Sequence, residues 1–329
     1  MRCFAAVLAL VGVASCASAP IASVDAGEED ASVGPAGWPK RVSTCRSKPG
    51  ALRGKRFQTI EAAGLSRTFI SYVPESLAPN TPAPVLIVPH GYTMTASMMF
   101  DITRYAEIAD REGLVVLFPN GQPSTSIVRG PWNVGVPDCR STLGFLPLAY
   151  GDDQAFVNEM LRFVEADQCV DAEHVYMSGF SMGGYLANAT GCVRSEIRAV
   201  APHSAGTHDL SACASERKPV LIMHFSEDEL IPYACALQAR DRWVERNGCQ
   251  LEEPEVQTVT GGTCEYYRGC AQEAQVGLCT FSAPVEGDDA FRGHAWSGGS
   301  ELGSGAQFAI PQTESASELS FQFFKQYAW

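Results

Sequence analysis

Positive charge is scarce in this sequence, and nowhere does it gather. There are 24 Lys and Arg against 37 Asp and Glu, a net charge of −13 over 329 residues. Nucleic-acid binding needs clustered basic side chains to meet phosphates, so no nucleic-acid partner is expected. Runs of like charge are missing too. The acidity is therefore spread over the surface, where it serves solubility. None of the 12 cysteines forms a C-x-x-C pair, and the six histidines do not alternate with them at zinc-ligand spacing. A zinc site is not expected, and neither is any other metal or organic cofactor. No internal repeat is visible.

Export is written at the start of the chain. MRCFAAVLALVGVASC has one basic residue, an apolar stretch and then small residues, and it is too short and too poorly flanked for a mature membrane span. Val13-Ala14-Ser15-Cys16 resembles the bacterial lipobox, which makes Cys16 the expected lipidation site and the membrane the partner of that anchor alone. Cleavage after Ala19 is the alternative, hindered by Pro20. Residues 1–16 thus read as a signal peptide. Residues 17–44, rich in Ala, Ser, Gly, Pro and acid, read as a flexible tether, and 45–329 as one domain. Ten cysteines remain beyond Cys3 and Cys16. An even number in an oxidising compartment implies disulfides, whose connectivity the sequence leaves open.

Near-continuous apolar runs at 68–73, 84–89, 114–118, 174–178, 197–201 and 219–224 have the character of strands covered on both faces. Helical patterns lie between them at 98–111, 153–167, 182–192 and 233–246, with a last one at 315–327. Alternation of strand and helix predicts an α/β fold with a mostly parallel central sheet and helices on both faces. The irregular stretches 119–151 and 282–313 exceed ordinary connection lengths and are expected to form binding loops.

One serine stands at a junction that suits a nucleophile. Gly179-Phe180-Ser181-Met182-Gly183 follows a strand and opens a helix, as a nucleophile elbow does, although glycine and serine also make ordinary turns. In α/β-hydrolases the acid and then the histidine follow the serine in chain order. Only His294 lies late enough for the base, in a glycine-rich loop after the apolar run 275–281. The acid is expected after the strand 219–224, where Glu227, Asp228 and Glu229 are all available. The backbone N–H of Met182 and that of Tyr92, beyond His90-Gly91, are the expected oxyanion donors. His90 as base is the rival, disfavoured by chain order.

Several separate stretches resemble, in order, the secreted α/β-hydrolase esterases that include feruloyl esterases and polyhydroxybutyrate depolymerase-like enzymes. They are SRTFISYVP (66–74), LIVPHGYT (86–93), Trp132-Asn133, GDDQAFV (151–157), CVDAEHVYMSGFSMGG (169–184), HFSEDELIPY (224–233), GGTCEYYRGC (261–270) and GHAWSGG (293–299). The resemblance implies the α/β-hydrolase fold and a triad of Ser181, Asp228 and His294. Phe225, Arg292 and Ser297 depart from the family pattern, and 282–291 is inserted before the histidine. The implied activity is hydrolysis of hydroxycinnamoyl or acetyl esters on plant polysaccharide, with polyester cleavage as the alternative and a non-catalytic, lipid-anchored binder the remoter one. Trp132, Phe180 and Trp296, with Tyr92, are the candidate aromatic wall for a cinnamoyl ring, or else core packing. Asp153 matches a family aspartate and is expected to cap a helix. Oligomeric state is left open.

Overall fold

The apolar runs become the middle of a ten-stranded sheet. A computed structural model describes Cys45 and residues 47–122, 130–142, 151–214, 216–283 and 293–327. The expected signal peptide with its lipidation site at Cys16, the tether and Arg292 lie outside the described residues. The strands are β1 (Gly54–Ala62), β2 (Leu65–Val73), β3 (Ala83–Ile87), β4 (Val115–Pro119), β5 (Val170–Phe180), β6 (Ile197–His203), β7 (Val220–Phe225), β8 (Gln250–Val259), β9 (Gly262–Arg268) and β10 (Val276–Phe281). Their order is β1-β2-β4-β3-β5-β6-β7-β10-β9-β8. From β4 to β10 every pairing is parallel, while the β1–β2 and β9–β8 edges are antiparallel. The side chains of β3 and β4 are buried without exception, which is why those strands read as unbroken apolar runs.

Helices cover both faces and divide the core in two. On one side α3 (Asp153–Asp167), α4 (Met182–Val193) and α5 (Tyr233–Asn247) bury Leu161, Tyr185 and Trp243. On the other α1 (Ala96–Thr103), α2 (Tyr105–Glu112) and α6 (Ala316–Lys325) bury Met99, Ile108 and Phe321. The single helix expected at 98–111 is two, because Arg104 takes a left-handed conformation (φ 56°, ψ 21°) and breaks the hydrogen-bond ladder. Asp153 does not cap α3. Asp152 does, its carboxylate accepting the N–H of Ala155 at 2.9 Å. Asp153 points inward to the buried guanidinium of Arg67, 2.8 Å away.

The ten cysteines of the domain pair as Cys45–Cys169, Cys139–Cys235, Cys192–Cys213, Cys249–Cys270 and Cys264–Cys279. Cys264 and Cys279 face each other in register across β9 and β10. Five such bridges fit an oxidising compartment. Among the described residues no helix is long and apolar enough to cross a membrane.

Candidate active site

β5 ends at Phe180 and α4 begins at Met182, leaving Ser181 alone to turn the chain. Its backbone (φ 55°, ψ −120°) lies where non-glycine residues are strained, a conformation that recurs at functional turns. The carbonyl of His203 at the end of β6 accepts the Ser181 N–H at 2.8 Å and holds the turn. The flanking glycines are a packing requirement. A Cβ on Gly179 would stand 2.4 Å from the Gly183 carbonyl oxygen, and one on Gly183 would stand 2.2 Å from that of Pro89. The elbow forms only if both side chains are missing.

Three side chains meet there from distant parts of the sequence. The Oγ of Ser181 is 2.9 Å from Nε2 of His294, and Nδ1 of that ring is 2.9 Å from Oδ2 of Asp228. All three are buried. The base loop touches the acid loop directly, for Gly293 has a positive φ and a Cβ on it would fall 2.7 Å from the Asp228 nitrogen. Of the three acids left open by spacing, Asp228 is the one inside. The Oδ1 of Asp228 accepts the N–H groups of Leu230 at 3.0 Å and Ile231 at 2.8 Å, which leaves Oδ2 for imidazole. Glu227 instead accepts the Ala283 N–H, and Glu229 is exposed. With Asp228 orienting it, the imidazole of His294 is placed to take a proton from Ser181 and to return it to a leaving group.

The loop between β3 and α1 runs beside the serine. A Cβ on Gly91 would lie 3.1 Å from Ser181 Cβ. Thr93 takes a positive φ of 67°, and the Met94 N–H returns to the Gly91 carbonyl, so Tyr92 stands at the tip of a tight turn with its ring exposed. Met182 opens α4, where first-turn N–H groups lack intrahelical acceptors and favour an oxyanion. His90 holds this loop in place. Its Nδ1 donates to the Gly91 carbonyl at 2.7 Å, and its Nε2 accepts the Gly121 N–H at 3.0 Å. Burial pushes its pKa down to about 4, so the ring is neutral and both nitrogens are engaged.

Trp132, Phe180 and Trp296 do not form a substrate wall. All three are buried. Trp132 donates from Nε1 to the His90 carbonyl at 2.8 Å, bracing the loop between β3 and α1 from behind. Phe180 lies against the His294 ring at 4.9 Å, and Trp296 stacks on His203 at 5.0 Å while its Nε1 donates to Ser317. They support the site and present no face to a ligand. Residue type could not reveal this, because an aromatic after a loop suits either role. The sequence reading missed His203 and His224. The ring of His203 accepts the Ser297 N–H at 3.2 Å, and that of His224 lies 3.3 Å from Asp228 Oδ2. A histidine at the end of a buried strand was the available signal for each. Among the described residues no three His, Cys, Asp or Glu side chains converge to hold a metal.

Known proteins resemble the chain over most of the domain. Feruloyl esterase D of Neurospora crassa is 31% identical over 239 residues, which are 71% of this chain and 78% of that protein. The chain belongs to the feruloyl esterase family. Feruloyl esterase B of Piromyces equi is 29% identical over 249 residues, 68% of this chain but only 43% of that longer protein. A bifunctional acetylxylan esterase/xylanase of Neocallimastix patriciarum is 29% identical over 172 residues, 52% of this chain and 22% of that one. No family model matches. Among solved structures, an acetyl xylan esterase from Aspergillus awamori has a TM-score of 0.52 at 16% identity, covering 68% of this chain and 92% of that one. An S-formylglutathione hydrolase from Agrobacterium tumefaciens also has a TM-score of 0.52, at 13% identity, covering 87% of this chain and 99% of that one. Both likenesses show the α/β-hydrolase fold.

Proposed function

We propose that the chain is an exported serine carboxylester hydrolase acting on hydroxycinnamoyl or acetyl esters borne by plant polysaccharide. The observation that carries this reading is the relay from Ser181 Oγ through His294 to Asp228, 2.9 Å at each step. In it, Nε2 of His294 takes the Ser181 proton as Oγ attacks the ester carbonyl. The N–H groups of Tyr92 and Met182 meet the charge that develops on the carbonyl oxygen. Collapse of the tetrahedral intermediate expels the alcohol, which leaves with the proton from His294. Water, activated by the same ring, then attacks the acyl-serine and frees the acid. No step calls for a metal or cofactor.

The substrate class is supported by what the relatives are named for: feruloyl esters in two of them, acetylated xylan in the third. Export is supported by the five disulfides and by the leader. Cys16 as the lipidated residue at the cell envelope, with 17–44 as tether, rests on the sequence motif. Of the four aromatics considered for the acyl ring, Tyr92 alone keeps an exposed face.

The test compares kcat/KM of the full chain on methyl ferulate, acetylated xylan and a 3-hydroxybutyrate oligomer, with Ser181→Ala alongside. The expected result is cleavage of the first or second substrate and a loss of about six orders of magnitude in kcat for the variant. Preference for the oligomer would reassign the site to polyester degradation. A variant retaining a tenth of the activity would remove Ser181 from the chemistry.

A further inference from the structure

Asp228 is approached by two imidazoles. Its Oδ1 is saturated by the Leu230 and Ile231 N–H groups. Its Oδ2 faces Nδ1 of His294 at 2.9 Å and Nε2 of His224 at 3.3 Å. His224 stands at the end of β7, fully buried, four residues before the acid. Its Nε2 is also 2.8 Å from the carbonyl oxygen of Ile231. A carbonyl can only accept, so Nε2 carries the hydrogen and donates it to Ile231, while Asp228 Oδ2 lies 3.3 Å away without receiving it. The other nitrogen, Nδ1, is buried with no hydrogen-bond partner among the described residues, which suits a bare lone pair and would strand a proton.

We propose that His224 is a positioning residue for the triad acid: a neutral second imidazole whose N–H, donated to the Ile231 carbonyl, fixes the turn that holds Asp228 Oδ2 on His294. This inference rests on the triad reading above. Without His224, the turn whose Leu230 and Ile231 N–H groups hold Oδ1 loses this anchor to β7, and Oδ2 is held on His294 less firmly. Neutrality matters to the role. A charged ring here would compete with His294 for the carboxylate just when His294 takes up the serine proton, whereas a neutral ring fixes the turn and leaves the carboxylate's charge to the base. Burial supports this by pushing the His224 pKa below the usual histidine range. His203, Tyr185 and Tyr233 are the other titratable side chains facing this cluster. None of them supplies a donor to Asp228.

The test is a double-mutant cycle in the full chain, read as kcat and KM on the ester that the wild type cleaves. His224→Phe keeps a ring without the donor, and His224→Gln carries an amide N–H to about the place of Nε2. The expected result is a loss in kcat of roughly tenfold for His224→Phe with KM within about twofold, and recovery of most of it in His224→Gln. On an Asp228→Asn background the same His224→Phe change should cost less than about twofold, since the group it acts through is gone. An equal loss on both backgrounds would make His224 a packing residue and overturn the proposal. So would a Gln variant no better than Phe. If His224→Phe does not fold, His224→Asn replaces it, because that shorter amide ends near Nδ1 and falls short of the Ile231 carbonyl; the same comparison with Gln then decides. Failure of the triad reading looks different, as activity that survives Ser181→Ala.

Discussion

Gly183 sits so close to Pro89 that a Cβ built on it would be 2.2 Å from the Pro89 carbonyl oxygen. This contact seats the first turn of the nucleophile helix against the end of β3, where the oxyanion loop starts. Gly183→Ala must therefore push α4 away from that loop. The expected cost is about 2–3 kcal/mol of stability, with loss of activity even where the variant stays folded. Denaturant unfolding and an ester assay on the same preparation check both. An active variant would mean that the elbow can shift without disturbing the oxyanion donors.

Strain at Ser181 makes a second expectation. A glycine adopts φ 55°, ψ −120° without penalty, whereas serine does not. Ser181→Gly should abolish hydrolysis and raise stability by about 1 kcal/mol, the relief of strain outweighing the added flexibility of the unfolded chain. Ser181→Ala, which keeps a Cβ, should abolish activity without that gain. Thermal unfolding of the two variants side by side separates them; a Gly variant no more stable than the Ala variant would show that the strain does not exceed that entropic cost.

Arg67 and Asp153 form a buried ion pair behind the site. The carboxylate also accepts the Asn133 N–H at 2.6 Å, and the guanidinium lies 4.1 Å from the Phe156 ring. Two Arg67 nitrogens have no hydrogen-bond partner, so Asp153 is the counter-charge that makes burial tolerable. Asp153→Ala is expected to destabilise by about 3–5 kcal/mol. Pairing it with Arg67→Met should recover most of that loss. If the double variant were as unstable as the single one, the carboxylate would matter through Asn133 instead.

The parts of the molecule that were legible in the sequence are those where one physical demand acts alone. β3 and β4 are covered on both faces, so every residue in them is apolar. Ser181 was marked by its glycine-flanked strand-to-helix junction, and His294 was found by chain order, a topological constraint. Asp228 was one of three neighbours until the resemblance singled it out, because only the fold turns one carboxylate inward. The edge strands were missed. β1 and β8 expose most of their residues, and β8 contains Glu252, Glu253, Pro254 and Glu255, so no apolar pattern marks them. The aromatic wall failed for another reason. Trp132 and Trp296 have indole N–H partners inside the protein, a carbonyl and a hydroxyl that no local pattern could announce. Asp152 and Asp153 show the limit of spacing, since a shift of one residue exchanges a helix cap for a core ion pair.

The buried histidines predict how stability depends on pH. Desolvation lowers the pKa of His90 to about 4 and also lowers those of His203, His208 and His224. In the unfolded chain each would titrate near 6.5, so between that value and the folded one the unfolded state binds more protons. Stability is then fully present above pH 6.5 and falls as pH drops toward 4. His90 alone contributes about 3 kcal/mol across that window, at 1.36 kcal/mol for each pKa unit. The unfolding free energy should be flat from pH 8 to 7 and then fall steeply through pH 5, before most carboxylates take up protons. Urea unfolding at half-unit pH steps measures the slope, which reports proton uptake directly. A curve still flat at pH 5 would require these rings to be charged or solvated in the folded protein. In that case His90 could not accept the Gly121 N–H, and His224 could not be the neutral partner of Asp228.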